Sequence, residues 1–274
     1  MLRWVNIINK KVDEKRVFFA LEVKAPWPEK LPKGRVLDPH TRHATLAFVG
    51  EISLSDLFQH AFPRPSFKVG LVGVFNECLF LPFHHPNVVA WKFDWYDETK
   101  ELREYRQKLL NWLNMHHYPL RDNPKDWLYH VTLSRKPFEK KEWQAAFKPL
   151  PMLTQSLHLY ASLGHLDYQP LWSHSFIPPF QEIKHPSKTV YLINAENFNQ
   201  IYQHAFAALA FYHPPLTSYY HTKNYSHLKE IIADLNFLIA QVKADQDCPL
   251  NTLHVYKDIQ IKESIFQFEM IIDK

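Results

Sequence analysis

Two short stretches constrain this chain more than any other feature: His43-Ala44-Thr45-Leu46 and His130-Val131-Thr132-Leu133. Both read His-x-Thr-Leu, and both sit in apolar, strand-like runs, Ala44 to Val49 and Leu128 to Leu133. Successive side chains on a strand point to opposite faces, so His and Thr at i and i+2 share one face. Ala44 and Leu46, or Val131 and Leu133, then turn the other way into a core. With 17 His among 274 residues, and 9 Thr, chance supplies roughly 0.6 His-x-Thr triplets. A lone strand histidine is ordinarily a satisfied core or surface residue; repetition of the whole tetrad sets these two apart. Facing each other across a cleft, they offer two titratable groups and two neutral donors. That set suits acid/base cleavage of a phosphate ester without a metal.

The composition is that of a globular protein, 46% hydrophobic and 15% aromatic, with ample material for a core. No apolar run is long enough for a membrane-spanning helix. At the N-terminus an apolar piece, Val5 to Ile8, precedes Lys10, Lys11, Lys15 and Arg16, the wrong order for a signal peptide. Cys78 and Cys248 are far apart and match no metal-ligand spacing, so free thiols in a reducing cytoplasm are expected. Residues 1–185 carry 25 Lys+Arg against 19 Asp+Glu, whereas residues 186–274 carry 7 against 9. A modestly basic N-terminal portion fits an anionic ligand such as an RNA end and is too weak for a long nucleic-acid footprint. With only 5 Gly, the chain has no Gly-rich phosphate loop, which argues against nucleoside-triphosphate chemistry. His84-His85 and His116-His117 lack a third ligand at sensible spacing and read as loop histidines.

Patterning predicts strands at Arg16–Val23, Ala44–Val49, Phe67–Phe75, Cys78–Leu81, Val88–Phe93, Leu128–Leu133, Leu153–Leu163 and Leu171–Phe176. Helices are predicted at Ser53–Ala61, with Ser53 as cap, at Asp97–His116 and at Glu139–Phe147. The Asp97–His116 stripe runs Leu102, Tyr105, Leu109, Trp112, Leu113. The Pro-rich stretch Ala25–Gly34 reads as a loop. The order gives two similar α+β halves, each with one His-x-Thr strand. Ile177–Ser187, with three prolines, reads as a linker to a second unit. That unit has a strand at Val190–Ile193, helices at Ala195–Tyr212 and Ser226–Val242, and a closing hairpin, Leu253–Ile261 with Ile265–Ile272. Two domains are therefore expected, residues 1–180 and 188–274.

The motif stretches HATL and HVTL resemble the paired motifs of the 2H phosphoesterases, in particular the RNA 2′,3′-cyclic phosphodiesterases, also called 2′-5′ RNA ligases. RVFFALEV resembles that family's first strand, LPKGRVLDPHTRHATLAFVGE its approach to the first motif, HVTLSR its second motif, and LYASLGHLDYQPLWSHSF its closing strand pair. The resemblance covers about residues 14–177, with a Pro-rich loop where the family usually has a helix after its first strand. It implies an α+β fold with a bilobal, pseudo-twofold, two-sheet cleft, followed here by a small C-terminal α+β domain. It implies catalysis by His43, Thr45, His130 and Thr132, with His43 taken as acid and His130 as base. Arg135 stands where the family has a phosphate- or base-contacting arginine. Strand alternation would put Arg135 on the wrong face, so the strand must end or bulge near Ser134 to bring it in. Trp127 is expected on the His130 side, where it would stack a base. No metal and no cofactor are expected.

The activity implied is hydrolysis of RNA 2′,3′-cyclic phosphate ends to 2′-phosphates, with reverse 2′-5′ ligation. Two other readings remain open at this point. One is a non-catalytic module that binds RNA ends or cyclic nucleotides and works with an RNA ligase. The other is a phosphodiesterase for 2′-5′ oligonucleotides or small cyclic phosphates. The C-terminal stretches NAENFNQIYQHAFAALAFY and SHLKEIIADLNFLIAQVKAD resemble archease faintly, without its His-Thr-Ala-Asp segment. That likeness implies an RNA ligase as partner. RNA 3′ ends or small cyclic phosphates are the expected ligands, the expected compartment is the cytoplasm, and no membrane partner is expected.

Overall fold

The computed structural model describes residues 14–96, 100–119, 127–245 and 247–273. The N-terminal end of the chain and the start of the Asp97–His116 helix lie outside the described residues. The fold is α+β. Its first sheet grows from β1 (Glu14–Lys24), which has strands on both edges and an apolar run buried on both faces by separate side-chain clusters. Val17, Phe19, Leu21 and Val23 enter the main core, while Phe18 and Ala20 face the opposite way.

A two-residue strand, β2 (Arg35–Val36), precedes the first motif strand, β3 (His43–Ser53). A single turn of helix, α1 (Leu54–Leu57), follows, and the Ser53 side chain caps it by accepting from the Asp56 amide. The hairpin of β4 (Val72–Leu81) and β5 (Val88–Trp95) turns through residues 82–87. The described part of α2 (Lys100–Met115) buries Leu102, Tyr105, Leu109 and Leu113 against the core. The second motif strand is β6 (His130–Arg135), followed by α3 (Lys140–Ala146), β7 (Leu150–Gly164) and β8 (Asp167–Ser175). The strand predicted at Phe67–Phe75 starts late, at Val72, because the residues before it make only the isolated bridge Val69↔Ile177. The loop at 25–34 carries no helix; its Trp27 packs on Phe75 and Trp91, at 5.2 and 5.8 Å between ring centroids.

The strand order is β1-β3-β6-β5-β4-β7-β8, and β1 also pairs with β7. Six strands therefore close on themselves. The two-sheet cleft expected from sequence is one continuous sheet in this chain. The seam between the motif strands is thin, a single ladder pair, Ala44↔Val131. Strand pairing is nonlocal, so the closure could not be read from local patterns.

A separate four-stranded sheet holds the C-terminal unit. It is built from β9 (Phe180–Ile183), β10 (Thr189–Ala195), β11 (Leu253–Lys262) and β12 (Ile265–Ile272), in the order β11-β12-β10-β9. Thus the predicted linker carries a strand, β9, which pairs with β10. Two helices, α4 (Phe198–Tyr212) and α5 (Leu228–Asp245), pack with this sheet. α4 is buried continuously from Ile201 to Ala210, on every face of the helix. The reason is a shared core: Val72, Tyr96 and Leu153 of the first sheet and its flank join Ile193, Phe206 and Leu209 in one apolar cluster. Tyr220 stacks on Tyr96 at 4.1 Å and donates its hydroxyl to the Tyr96 carbonyl at 2.7 Å. No helix among the described residues is long and apolar enough to cross a membrane.

Candidate active site

The motif strands bring their polar faces to one cleft of about 420 Å³, lined by His43, Thr45, Trp127, His130, Thr132 and Arg135. All six candidate residues from sequence therefore converge. The intervening Ala44, Leu46, Val131 and Leu133 are buried in the core, as alternation requires.

The two halves of the site are built alike. His43 Nδ1 lies 2.7 Å from the Thr41 carbonyl, and His130 Nδ1 lies 2.9 Å from the Leu128 carbonyl. A carbonyl only accepts, so Nδ1 carries the hydrogen in both rings and Nε2 is the nitrogen left for chemistry. Each strand also bulges one step past its Thr. In β3, Phe19 pairs with Ala47 and Ala20 with Thr45, so Leu46 is the extra residue. In β6, Val89 pairs with Ser134 and Ala90 with Thr132, so Leu133 is extra. A bulge resets the alternation. Five residues after each histidine, Phe48 and Arg135 return to the cleft. The bulge that Arg135 required from sequence is present, at Leu133 rather than at the strand end.

The two histidines sit in different surroundings. His43 is packed by Phe18 at 4.8 Å, Tyr168 at 5.0 Å and Tyr160 at 5.4 Å between ring centroids. Burial pushes its pKa down to about 4, against the raising effect of the Thr41 carbonyl. Positive charge on His130 and His158 pushes in the same direction as burial. His43 is therefore neutral at neutral pH.

Trp127 lies before β6 rather than in it, so it reaches the cleft from the loop and not by strand alternation. In a regular strand a residue three before His130 would face away from it. Its indole Nε1 donates to the Thr45 carbonyl at 3.1 Å, and Arg106 covers its ring at 4.6 Å. Arg106, from α2, donates through Nε to the Leu46 carbonyl at 2.9 Å. Where the thin seam leaves β3 carbonyls without a strand partner, these two side chains supply donors. Arg106 was missed from sequence, although its signal was present. It occupies a stripe position between Tyr105 and Leu109, and a buried arginine on an apolar face needs a reason. Phe18, Phe48 and Tyr168 were missed because nothing distinguishes such aromatics from core residues before the pairing is known. Among the described residues no group of three or more His, Cys, Asp or Glu side chains is placed to hold a metal.

No protein-family model matches the chain, and no curated protein matches it. Solved structures do. A crystal structure of E. coli LigT complexed with 3′-AMP matches over 60% of this chain and 98% of its own, at 18% identity and a TM-score of 0.41. A crystal structure described as a phosphoesterase matches over 59% of this chain and 98% of its own, at 19% identity and a TM-score of 0.41. The protein TT0787 of Thermus thermophilus matches over 59% of this chain and 97% of its own, at 18% identity and a TM-score of 0.39. The likeness to LigT thus extends over about three fifths of the chain at low identity.

Proposed function

We propose that the protein opens RNA 2′,3′-cyclic phosphate ends to 2′-phosphates without a metal, using its two His-x-Thr motifs in the pseudo-twofold, bilobal manner of the 2H phosphoesterases. The observation that carries the reading is the duplicated arrangement. Two imidazoles, each fixed through Nδ1 to a backbone carbonyl, share a cleft with two threonines and an arginine.

In this scheme a water attacks the phosphorus of the cyclic phosphate. Neutral His43 takes the water's proton at Nε2. The bond from phosphorus to the ribose 3′ oxygen breaks, and that oxygen takes a proton from protonated His130. The product carries a 2′-phosphate. This reverses the acid and base roles expected from sequence, because the aromatic packing holds His43 in the form that accepts a proton. Thr45, Thr132 and Arg135 donate to the phosphate oxygens, whose charge grows in the transition state. The same opening with a 5′-hydroxyl in place of water forms a 2′-5′ diester and leaves the 3′ oxygen as a hydroxyl, which is 2′-5′ ligation. We further propose that the C-terminal unit presents the processed ends to an RNA ligase, in an archease-like role. The support is the faint sequence likeness to archease, and among the described residues none that lines the cleft lies beyond Tyr168.

The test is turnover of a cyclic-phosphate-ended oligonucleotide by His43→Ala and His130→Ala. Each should lose about 10²-fold or more while melting like the parent, and the parent should keep its activity in EDTA. Full activity in either folded variant, or loss on chelation restored by a divalent ion, contradicts the scheme.

A further inference from the structure

Beside the cleft lies a smaller cavity of about 210 Å³, lined by Arg16, Arg35 and Arg135 together with the turn between β7 and β8. Arg16, Arg135, Ser162 and Tyr168 line both spaces, so the two form one groove. No acid lines either part among the described residues. Arg35 and Arg135 are direct cross-strand partners in the β2–β6 ladder. Like charges directly opposite each other destabilise a sheet, and a neutralising carboxylate is the usual remedy. Glu51 stands opposite Arg16 in the β1–β3 ladder, yet among the described residues no ion pair involves Arg16, Arg35 or Arg135. Two of the three are nevertheless held in place. Arg35 donates through Nε to the Lys136 carbonyl at 2.7 Å, and the Arg16 guanidinium lies 5.1 Å from the Phe48 ring centroid. All three are solvent-exposed and reachable.

We propose that Arg16 and Arg35, beside Arg135, form a subsite for a second phosphate, carried by the same ligand whose first phosphate sits between the histidines. The proposal rests on the function proposed above for the cleft itself. A ribose whose 2′ and 3′ oxygens hold the reacting phosphate has one oxygen left for another, the 5′ oxygen. The ligand is therefore a 5′-phosphorylated nucleotide unit rather than a free cyclic nucleoside monophosphate. Planar guanidinium forks converging on one space suit a phosphate, which takes paired donors.

Calorimetric titration of the full chain tests this without relying on turnover. The probes are adenosine 2′-phosphate, adenosine 2′,5′-bisphosphate and a dinucleotide ending in a 2′-phosphate. The bisphosphate should bind about tenfold or more tighter than the monophosphate. That ratio should fall toward one in Arg16→Ala and in Arg35→Gln, two exposed positions chosen so that the result does not hang on one variant. A dinucleotide that keeps the advantage through its internal diester supports the subsite and marks an RNA chain as the ligand's source. An advantage confined to the bisphosphate also supports it and marks a terminal 5′-phosphate. Equal binding of mono- and bisphosphate, or a ratio untouched in both variants, overturns the subsite. Absence of cyclic-phosphate turnover with the ratio intact would sink the proposed activity and leave the subsite standing; turnover with a ratio of one would do the reverse.

Discussion

His43 and His130 have the same backbone anchor and different neighbours, and in the proposed scheme the neighbours divide the labour. Three aromatic rings around His43 remove it from water and push its pKa down to about 4. As the proposed general base it would stay competent until the pH approaches that value. The acid limb of kcat/KM, which reports the free enzyme, should therefore fall near pH 4 rather than near 6.5. Replacing Phe18 by a smaller residue admits water and should move the limb upward. An acid limb near the ordinary histidine value that ignores position 18 would put the base elsewhere. At this scale the sequence was informative where a residue type repeats in register. The His-x-Thr pairs were legible from spacing; Arg135 was marked by the family resemblance, since alternation alone puts it on the wrong face. Arg106 and the aromatic cage were not, because each depends on which strand or helix lies next to it.

Among the elements, the paired bulges at Leu46 and Leu133 set what each motif strand presents. They keep His and Thr on the cleft face and then bring Phe48 on one strand and Arg135 on the other back to it. Arg135→Lys keeps a charge and loses the planar fork, so KM should rise more than kcat falls. Steady-state kinetics on a cyclic-phosphate substrate reads this directly, and unchanged constants would remove Arg135 from the substrate. Most strands were visible as apolar runs, and Ser53 as a helix cap. β9 was not, because four residues among prolines carry no period-2 signal long enough to read. Closure of the six strands was equally hidden. It rests on β1 pairing with β7, some 140 residues away in sequence, and on the single pair Ala44↔Val131.

Across the whole molecule the two units meet through apolar surface. A fragment ending near Pro178 would expose Val72, Tyr96 and Leu153, which pack against α4 in the intact chain. The sequence-based expectation was two domains, residues 1–180 and 188–274. The shared cluster instead predicts a fragment that melts lower than the intact chain and aggregates, to be read by thermal denaturation and light scattering. A soluble fragment with unchanged melting would show that the interface adds little. The C-terminal unit also predicts a pH dependence. His204 on α4 is buried, with Nδ1 2.5 Å from the Asn194 carbonyl, and burial pushes its pKa down to about 4. Below about pH 6.5 the unfolded chain binds a proton that the folded chain refuses until about pH 4. The unfolded state then holds more protons, so stability falls as the pH drops through that window, by up to roughly 3 kcal/mol. His204→Gln should flatten that part of the denaturation profile; an unchanged slope would mean that the side chain is already solvated.

The most direct measurement of the central claim is hydrolysis of a 2′,3′-cyclic-phosphate-ended oligonucleotide in ¹⁸O-labelled water, with EDTA present and the product isomer identified. Water attack with departure of the ribose 3′ oxygen predicts a 2′-phosphate carrying one labelled oxygen, formed by the parent and lost in both His43→Ala and His130→Ala. No turnover, an unlabelled product, a 3′-phosphate, or full activity in either folded variant would contradict it.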